Sequence, residues 1–201
     1  MKQKIIAQGA EAKIILEKNF IIKNRIKKSY RIPELDKKIR KRRTKKEFKL
    51  LKKASEIVNS PIPQEQKDFD KIKMPYLNGK KLSIYLDKFS INKQKQICKV
   101  IGREIAKLHN ENIIHGDLTT SNMILKKDKI FFIDFGLGYF NGKIEDKAVD
   151  LHLLKQAMEA KHFKNYKILW QEVKAGYKNY KDSKKVFERL IRVEKRGRYK
   201  R

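Results

Sequence analysis

The sequence predicts an α+β fold in two lobes: a small β-rich first lobe with one main helix, and a short helical second lobe. Three observations predict it. All four prolines (Pro33, Pro61, Pro63 and Pro75) precede Tyr76. Short apolar runs separated by turn residues fill that same stretch, as strands and loops do. Beyond it, apolar residues recur at helical spacing.

The elements follow in order. Lys4 to Ala7 and Ala12 to Glu17 read as a hairpin around Gln8-Gly9-Ala10-Glu11, and Phe20 to Lys23 as a third strand. Ser29 to Asp36 reads as a loop, with Asp36 as the cap of a helix running to Val58. Asn59-Ser60-Pro61-Ile62-Pro63 stops that helix, Lys71 to Leu77 is a strand, and Asn78-Gly79 turns the chain. Ile97, Ile101, Ile105 and Leu108 form one stripe of a helix over Asn92 to Asn110, with Cys98 beside it as a core residue. Ile113-Ile114, Met123 to Leu125 and Ile130 to Ile133 read as short buried strands. Helices follow over Ala148 to Ala160, Lys164 to Tyr177 and Ser183 to Glu194. The domain reading is a first lobe over residues 1–77, a second over 78–194 and a basic flexible tail over 195–201.

Composition narrows the function. The chain has 201 residues, with 52 Lys+Arg against 23 Asp+Glu and a net charge of +29. Such an excess repels itself and points to a polyanionic partner, most simply nucleic acid; a Lys-rich proteome is the plainer explanation. One cysteine excludes an internal disulfide and points to a reducing, cytoplasmic setting. No apolar run is long enough to span a membrane, and no signal peptide is expected.

The chemistry is carried by His115-Gly116-Asp117-Leu118-Thr119-Thr120-Ser121-Asn122, followed twelve residues after Asn122 by Asp134-Phe135-Gly136. Together, in this order and between short apolar strands, they resemble the catalytic and metal-binding loops of the protein-kinase-like fold. Phosphoryl transfer needs a carboxylate to orient the incoming hydroxyl and take its proton, which suits Asp117. It also needs hard oxygen donors for Mg²⁺ against the phosphates of ATP, which suits Asn122 and Asp134. His115 in such a loop braces the backbone.

Upstream, Lys23 follows an apolar strand and matches the lysine that contacts the α- and β-phosphates, with Lys27 and Lys28 as rivals. Glu47, 24 residues on, matches its ion-pair partner; the alternative is a surface pairing with Arg43. The phosphate-covering loop is reduced to Gln8-Gly9-Ala10-Glu11-Ala12, and Glu11 beside a triphosphate calls for a separate role. Met74-Pro75-Tyr76-Leu77 falls at the hinge that reads the adenine edge. Pro75 lacks an N–H, which leaves Tyr76 and Leu77 as donors. Asp150 matches the carboxylate that anchors the catalytic-loop backbone, or is simply an acid near a helix start.

Departures from ordinary protein kinases narrow the family. Gly116 stands where an Arg is usual, and Thr119 where a Lys is usual. Only 15 residues separate Asp134 from Asp150, and 51 follow Asp150. There is little room for an activation loop, and the second lobe is truncated. With Tyr30-Arg31-Ile32-Pro33-Glu34-Leu35-Asp36, Arg43-Thr44-Lys45-Lys46-Glu47 and the Arg-Gly-Arg tail, the chain resembles the small atypical kinase/ATPase subunit of the KEOPS complex over nearly its whole length.

That resemblance implies Mg-ATP-dependent phosphoryl transfer, to a Ser/Thr hydroxyl or to water. It implies a role in making N6-threonylcarbamoyladenosine at position 37 of tRNA. It implies contact with the threonylcarbamoyl-transferase subunit, separate or fused in one polypeptide, and with a small regulatory subunit on the first lobe. The basic stretch Lys37 to Arg43, with Arg40, Lys41, Arg42 and Arg43, and the tail residues Arg196, Arg198, Lys200 and Arg201 are the candidates for tRNA contact; the alternative is a solvated helix face and a loose end. A competing reading is an ATP-gated regulatory scaffold with little turnover. An aminoglycoside-type kinase is disfavoured by the Asp134-Phe135-Gly136 triplet and the short second lobe. A RIO-type kinase is the nearest other relative, and the Tyr30 to Asp36 stretch argues against it.

Overall fold

The computed structural model describes residues 4–65 and 67–198, with side chains through Arg196. Strands β1 (Lys4–Gln8), β2 (Ala12–Glu17), β3 (Phe20–Arg25) and β4 (Lys71–Pro75) form an antiparallel meander in the order β1-β2-β3-β4. The register puts Lys23 opposite Ile14 on one side and Ile72 on the other. Lys23 thus sits in an inner strand, where backbone pairing on both sides fixes its position.

Helix α1 (Pro33–Ser55) packs on this sheet through buried Leu50, Leu51 and Ala54. It begins three residues before Asp36, because Pro33 occupies the first turn, where its missing N–H costs nothing. Asp36 is therefore not the cap. It is fully buried inside the first turn, accepting the Lys28 N–H at 3.3 Å and the Arg40 Nε at 2.7 Å. The Arg40 hydrogen bond, working against burial, holds its carboxyl below the usual range.

A second sheet, β5 (Lys80–Lys81), β6 (Met123–Lys126) and β7 (Lys129–Phe132), lies below the first in the order β5-β6-β7. Its β5 edge and the short helix α2 (Leu82–Tyr85) are unannounced in the sequence. Ile113-Ile114 is not a strand; Ile114 makes a single bridge with Tyr139. The helical part is α3 (Ile91–Asn110), α4 (Ile144–Lys161), α5 (Tyr166–Tyr177) and α6 (Ser183–Arg198). α4 starts at Ile144, ahead of Ala148, because Asp146 accepts the Lys143 N–H at 2.7 Å and caps the turn. α6 runs past Glu194 to Arg198, so the first part of the expected flexible tail is helix; Arg196 is tied to Glu145 at 2.8 Å. Tyr199, Lys200 and Arg201 lie outside the described residues. Cys98 is buried in the core, where burial pushes its thiol up to about 12.

Candidate active site

The site is assembled from five places in the chain. β3 supplies Lys23, whose Nζ lies 2.6 Å from Glu47 Oε1 on α1 and 2.6 Å from Asp134 Oδ1. Burial alone would lower the Lys23 ammonium; the two carboxylates outweigh it and raise it. Asp134 is likewise opposed by burial and held below the usual carboxylate range by Lys23. Glu47 does not pair with Arg43. Its second oxygen takes Arg25 Nη2 at 2.5 Å, while Arg43 reaches Glu11 at 2.6 Å. Of the rival lysines, Lys28 turns to the Ala10 carbonyl. Arg25 went unread in the sequence, although it stands two residues from Lys23 and so on the same strand face.

The loop 115–122 is held from behind. Asp150, buried on α4, accepts the backbone N–H of His115 at 2.8 Å and of Gly116 at 2.9 Å. Burial opposes its charge, but His109 and these N–H groups keep its carboxyl low. His115 accepts the Asp117 N–H on Nδ1 (3.3 Å), so its Nε2 carries the proton donated to the Ile133 carbonyl at 3.1 Å. It joins the two loops through one ring. Burial lowers its basicity and keeps it neutral. Gly116 stands in place of an Arg for a steric reason: its φ is +79°, and a Cβ there would meet the Leu137 carbonyl oxygen at 2.6 Å.

Asn122 donates from Nδ2 to the Asp117 carbonyl (2.9 Å) and to Asp117 Oδ2 (2.8 Å). Its Oδ1 and the second oxygen of each Asp have no partner among the described residues, and these oxygens point the site toward a hard cation. Two residues outside the loop that the sequence did not single out, His162 and Asp87, support it. Thr120 is buried and its hydroxyl meets His162 Nε2 at 3.1 Å; His162 Nδ1 meets Asp87 at 2.9 Å.

A cavity of about 300 Å³ opens beside these groups. Lys23, Glu47, Asn122 and Asp134 line its polar end, and Met74, Tyr76 and Leu77 its far end. Its walls are apolar, with Ile14 and Ile21 from the first sheet facing Ile124 and Ile133 from below. The sequence placed these isoleucines only in strands, with no role at a site. Their placement beside Lys23, Asn122 and Asp134 in sequence was the available signal. Gln8, Gly9, Ala10, Glu11 and Ala12 do not line the cavity; Gly9 stands clear, with no atom within 4 Å of a Cβ placed there. The Tyr76 N–H is committed to the Asn19 carbonyl at 2.8 Å, which leaves Leu77 as the hinge donor.

Of the basic candidates, Arg40 is bound to Asp36 and Asp70, and Arg43 to Glu11. Lys41 and Arg42 are exposed, and Arg196 is exposed beside Glu145. The Arg198 side chain, Lys200 and Arg201 fall outside the described side chains.

A RIO-domain sequence profile matches residues 16–137. A protein of Pyrococcus abyssi named KEOPS complex subunit Bud32 is 44% identical over 212 residues, covering 98% of this chain and 96% of its own. The chain belongs to the Bud32 family of RIO-domain proteins. The Tyr30 to Asp36 stretch therefore does not exclude the RIO class, whose profile spans it. A Bud32 homologue of Archaeoglobus fulgidus, named a probable serine/threonine-protein kinase, is 38% identical over 95% of this chain and 94% of its own. Other Bud32 relatives are longer. A probable bifunctional tRNA threonylcarbamoyladenosine biosynthesis protein of Methanococcus vannielii is 43% identical over 97% of this chain, which spans 36% of that protein. Among solved structures, the Rio2 kinase–ADP/Mg²⁺–phosphoaspartate complex of Chaetomium thermophilum shares the fold, with a TM-score of 0.62 at 15% identity, covering 98% of this chain and 71% of that one. No helix among the described residues is long and apolar enough to cross a membrane.

Proposed function

We propose that the chain is a Mg-ATP-dependent phosphotransferase, acting as a Ser/Thr protein kinase or an ATPase, that serves threonylcarbamoyladenosine formation on tRNA as a KEOPS subunit. The observation that carries this reading is the cavity with two unlike ends. Lys23, Asn122 and Asp134 meet at the polar end, and apolar walls lead to a hinge with one free donor.

In this reading the base lies between Ile14 and Ile124, and the Leu77 N–H reads its edge. Lys23, held by Glu47, meets the phosphates. Asn122 Oδ1 and Asp134 are the hard oxygen donors that would hold Mg²⁺. Bound Mg²⁺ neutralises charge on the transferring phosphoryl group. Asp117, held by Asn122 through one oxygen, uses the other to orient the incoming hydroxyl or water and accept its proton. Asp150 and His115 position the loop without touching the reacting atoms.

We place the lobe boundary between Leu77 and Asn78, with 78–194 as the second lobe. The names of the relatives support a threonylcarbamoyl-transferase partner, separate or fused in cis. A small regulatory subunit on the first lobe, tRNA and a cytoplasmic setting complete the proposal. The test is ATP binding with and without Mg²⁺ by titration calorimetry. The wild type is expected to gain affinity with Mg²⁺ and Asp134→Asn to lose that gain. Equal Mg²⁺ dependence in both proteins would overturn the assignment.

A further inference from the structure

The charge on α1 is divided by direction. Its acids after Glu34 are Asp36 and Glu47, and both are buried and bound to inward-facing cations. Every exposed charge on α1 from Lys37 to Lys53 is positive. At 3.6 residues per turn, Lys38, Arg42, Lys45, Lys49 and Lys52 fall within an arc of about 80°. They form a straight rail about 21 Å long at 1.5 Å rise per residue. Successive members stand three or four residues apart, the spacing at which like charges repel most directly. Among the described residues no carboxylate lies within ion-pair distance of Lys38, Arg42, Lys49 or Lys52. A helix that neutralises its inner cations and leaves Lys38, Arg42, Lys49 and Lys52 of its outer rail unopposed among the described residues is built for a partner that supplies the anions.

The face also says which kind of anion. Large apolar side chains are exposed at Leu35 and again at Ile62, and none between them. Protein interfaces are anchored by buried aromatic or aliphatic residues, which this face lacks. A phosphate backbone is bound by charge without such anchors. We propose that the Lys38–Arg42–Lys45–Lys49–Lys52 face of α1 is a binding rail for the phosphate backbone of an RNA. It rests on the proposed function only in taking the polyanion to be RNA. It carries the candidate contact surface away from Arg40 and Arg43, which are bound internally, and along the helix to Lys52.

The test is a fluorescence-anisotropy titration of a labelled RNA hairpin with the full chain at several KCl concentrations. Five phosphate contacts predict about 500-fold weaker binding between about 50 and about 200 mM salt. Lys45→Gln/Lys49→Gln/Lys52→Gln is expected to weaken binding at low salt and to reduce the log–log salt slope by about 2 to 3. A control of equal charge on α3, Lys95→Gln/Lys99→Gln/Arg103→Gln, is expected to leave the slope nearly unchanged. Equal losses in the two triple variants would mean that net charge alone attracts the RNA, and would overturn the rail. Polyglutamate displacing the RNA as well as unlabelled RNA does would overturn it in favour of an acidic protein. ATP turnover by the α1 variant is measured in the same preparations and is expected to match wild type, so failure of the rail and failure of the nucleotide site give different patterns.

Discussion

Glu47 accepts Lys23 on one carboxylate oxygen and Arg25 on the other, with all three side chains buried. Removing it leaves buried Arg25 with no ion-pair partner among the described residues and Lys23 with Asp134 alone. Glu47→Ala is therefore expected to cost about 3–5 kcal/mol in urea denaturation, well beyond a surface pair. The Thr120 hydroxyl is a smaller case. Thr120→Val strands a buried ring nitrogen of His162 and is expected to cost about 1–3 kcal/mol, whereas Thr120→Ser keeps the contact and costs less. Burial holds His109, His115 and His152 below the ordinary histidine range. Unfolded histidines titrate near about 6.5, so on acidification the unfolded chain takes up these protons first. The stability from the neutral rings is complete above that pH and is lost as pH falls toward the folded values. The lowered carboxyls of Asp134 and Asp150 contribute above about pH 4 and do not titrate in this window. Melting temperature is predicted to fall between about pH 7 and about pH 5.5; a flat profile contradicts the account. At this scale the sequence singled out Asp117, Asn122 and Asp134 by residue type and spacing, and the structure bonds Asn122 to Asp117 and puts Asn122 and Asp134 on one cavity. The sequence was not legible for Arg25 or His162, whose partners are set by tertiary approach.

Elements were legible through periodicity, and their ends were not. The stripe of Ile97, Ile101, Ile105 and Leu108 marked α3, and all four are buried. The start of α1 was missed because Pro33 and Asp36 both carry start signals, and tertiary contacts with Lys28 and Arg40 drew Asp36 inward. β5, two residues long, has no period to read; it exists because β6 offers it an edge. The packing of α3 on α5 was equally hidden. A Cβ on Gly102 would meet the Val173 carbonyl oxygen at 2.0 Å, and one on Gly176 the Lys99 carbonyl oxygen at 2.0 Å. The two glycines let the helix backbones touch. Alanine at either should raise helix propensity yet force the helices apart. The net effect is predicted to be destabilising by about 1–3 kcal/mol, measured by chemical denaturation. A neutral or stabilising result would show that the helices shift at no cost.

The whole molecule carries +29, and the exposed charges of α1 from Lys37 to Lys53 are all positive. Such self-repulsion is screened by salt, so moderate KCl is expected to raise the melting temperature while it weakens RNA binding. Composition suggested a polyanion partner but could not say which cations are free to face one, because only the fold separates cations held inside, such as Arg40, from those left on the α1 face. The kinase-like fold and the order of the two loops beside the cavity could be read from residue order. The apolar walls of the cavity could not, because Ile14 and Ile124 meet only when the two sheets are stacked. The central claim is that this cavity turns over ATP through Asp117. Its most direct measurement is release or transfer of the γ-phosphate from labelled ATP with Mg²⁺, comparing wild type with Asp117→Asn at matched folded fractions, with the transferase subunit and tRNA present. The account predicts turnover by the wild type and a loss of about 10²- to 10⁴-fold in the variant, with ATP binding retained. Equal turnover in both, or none in either while ATP still binds, would contradict it and leave a nucleotide-gated scaffold.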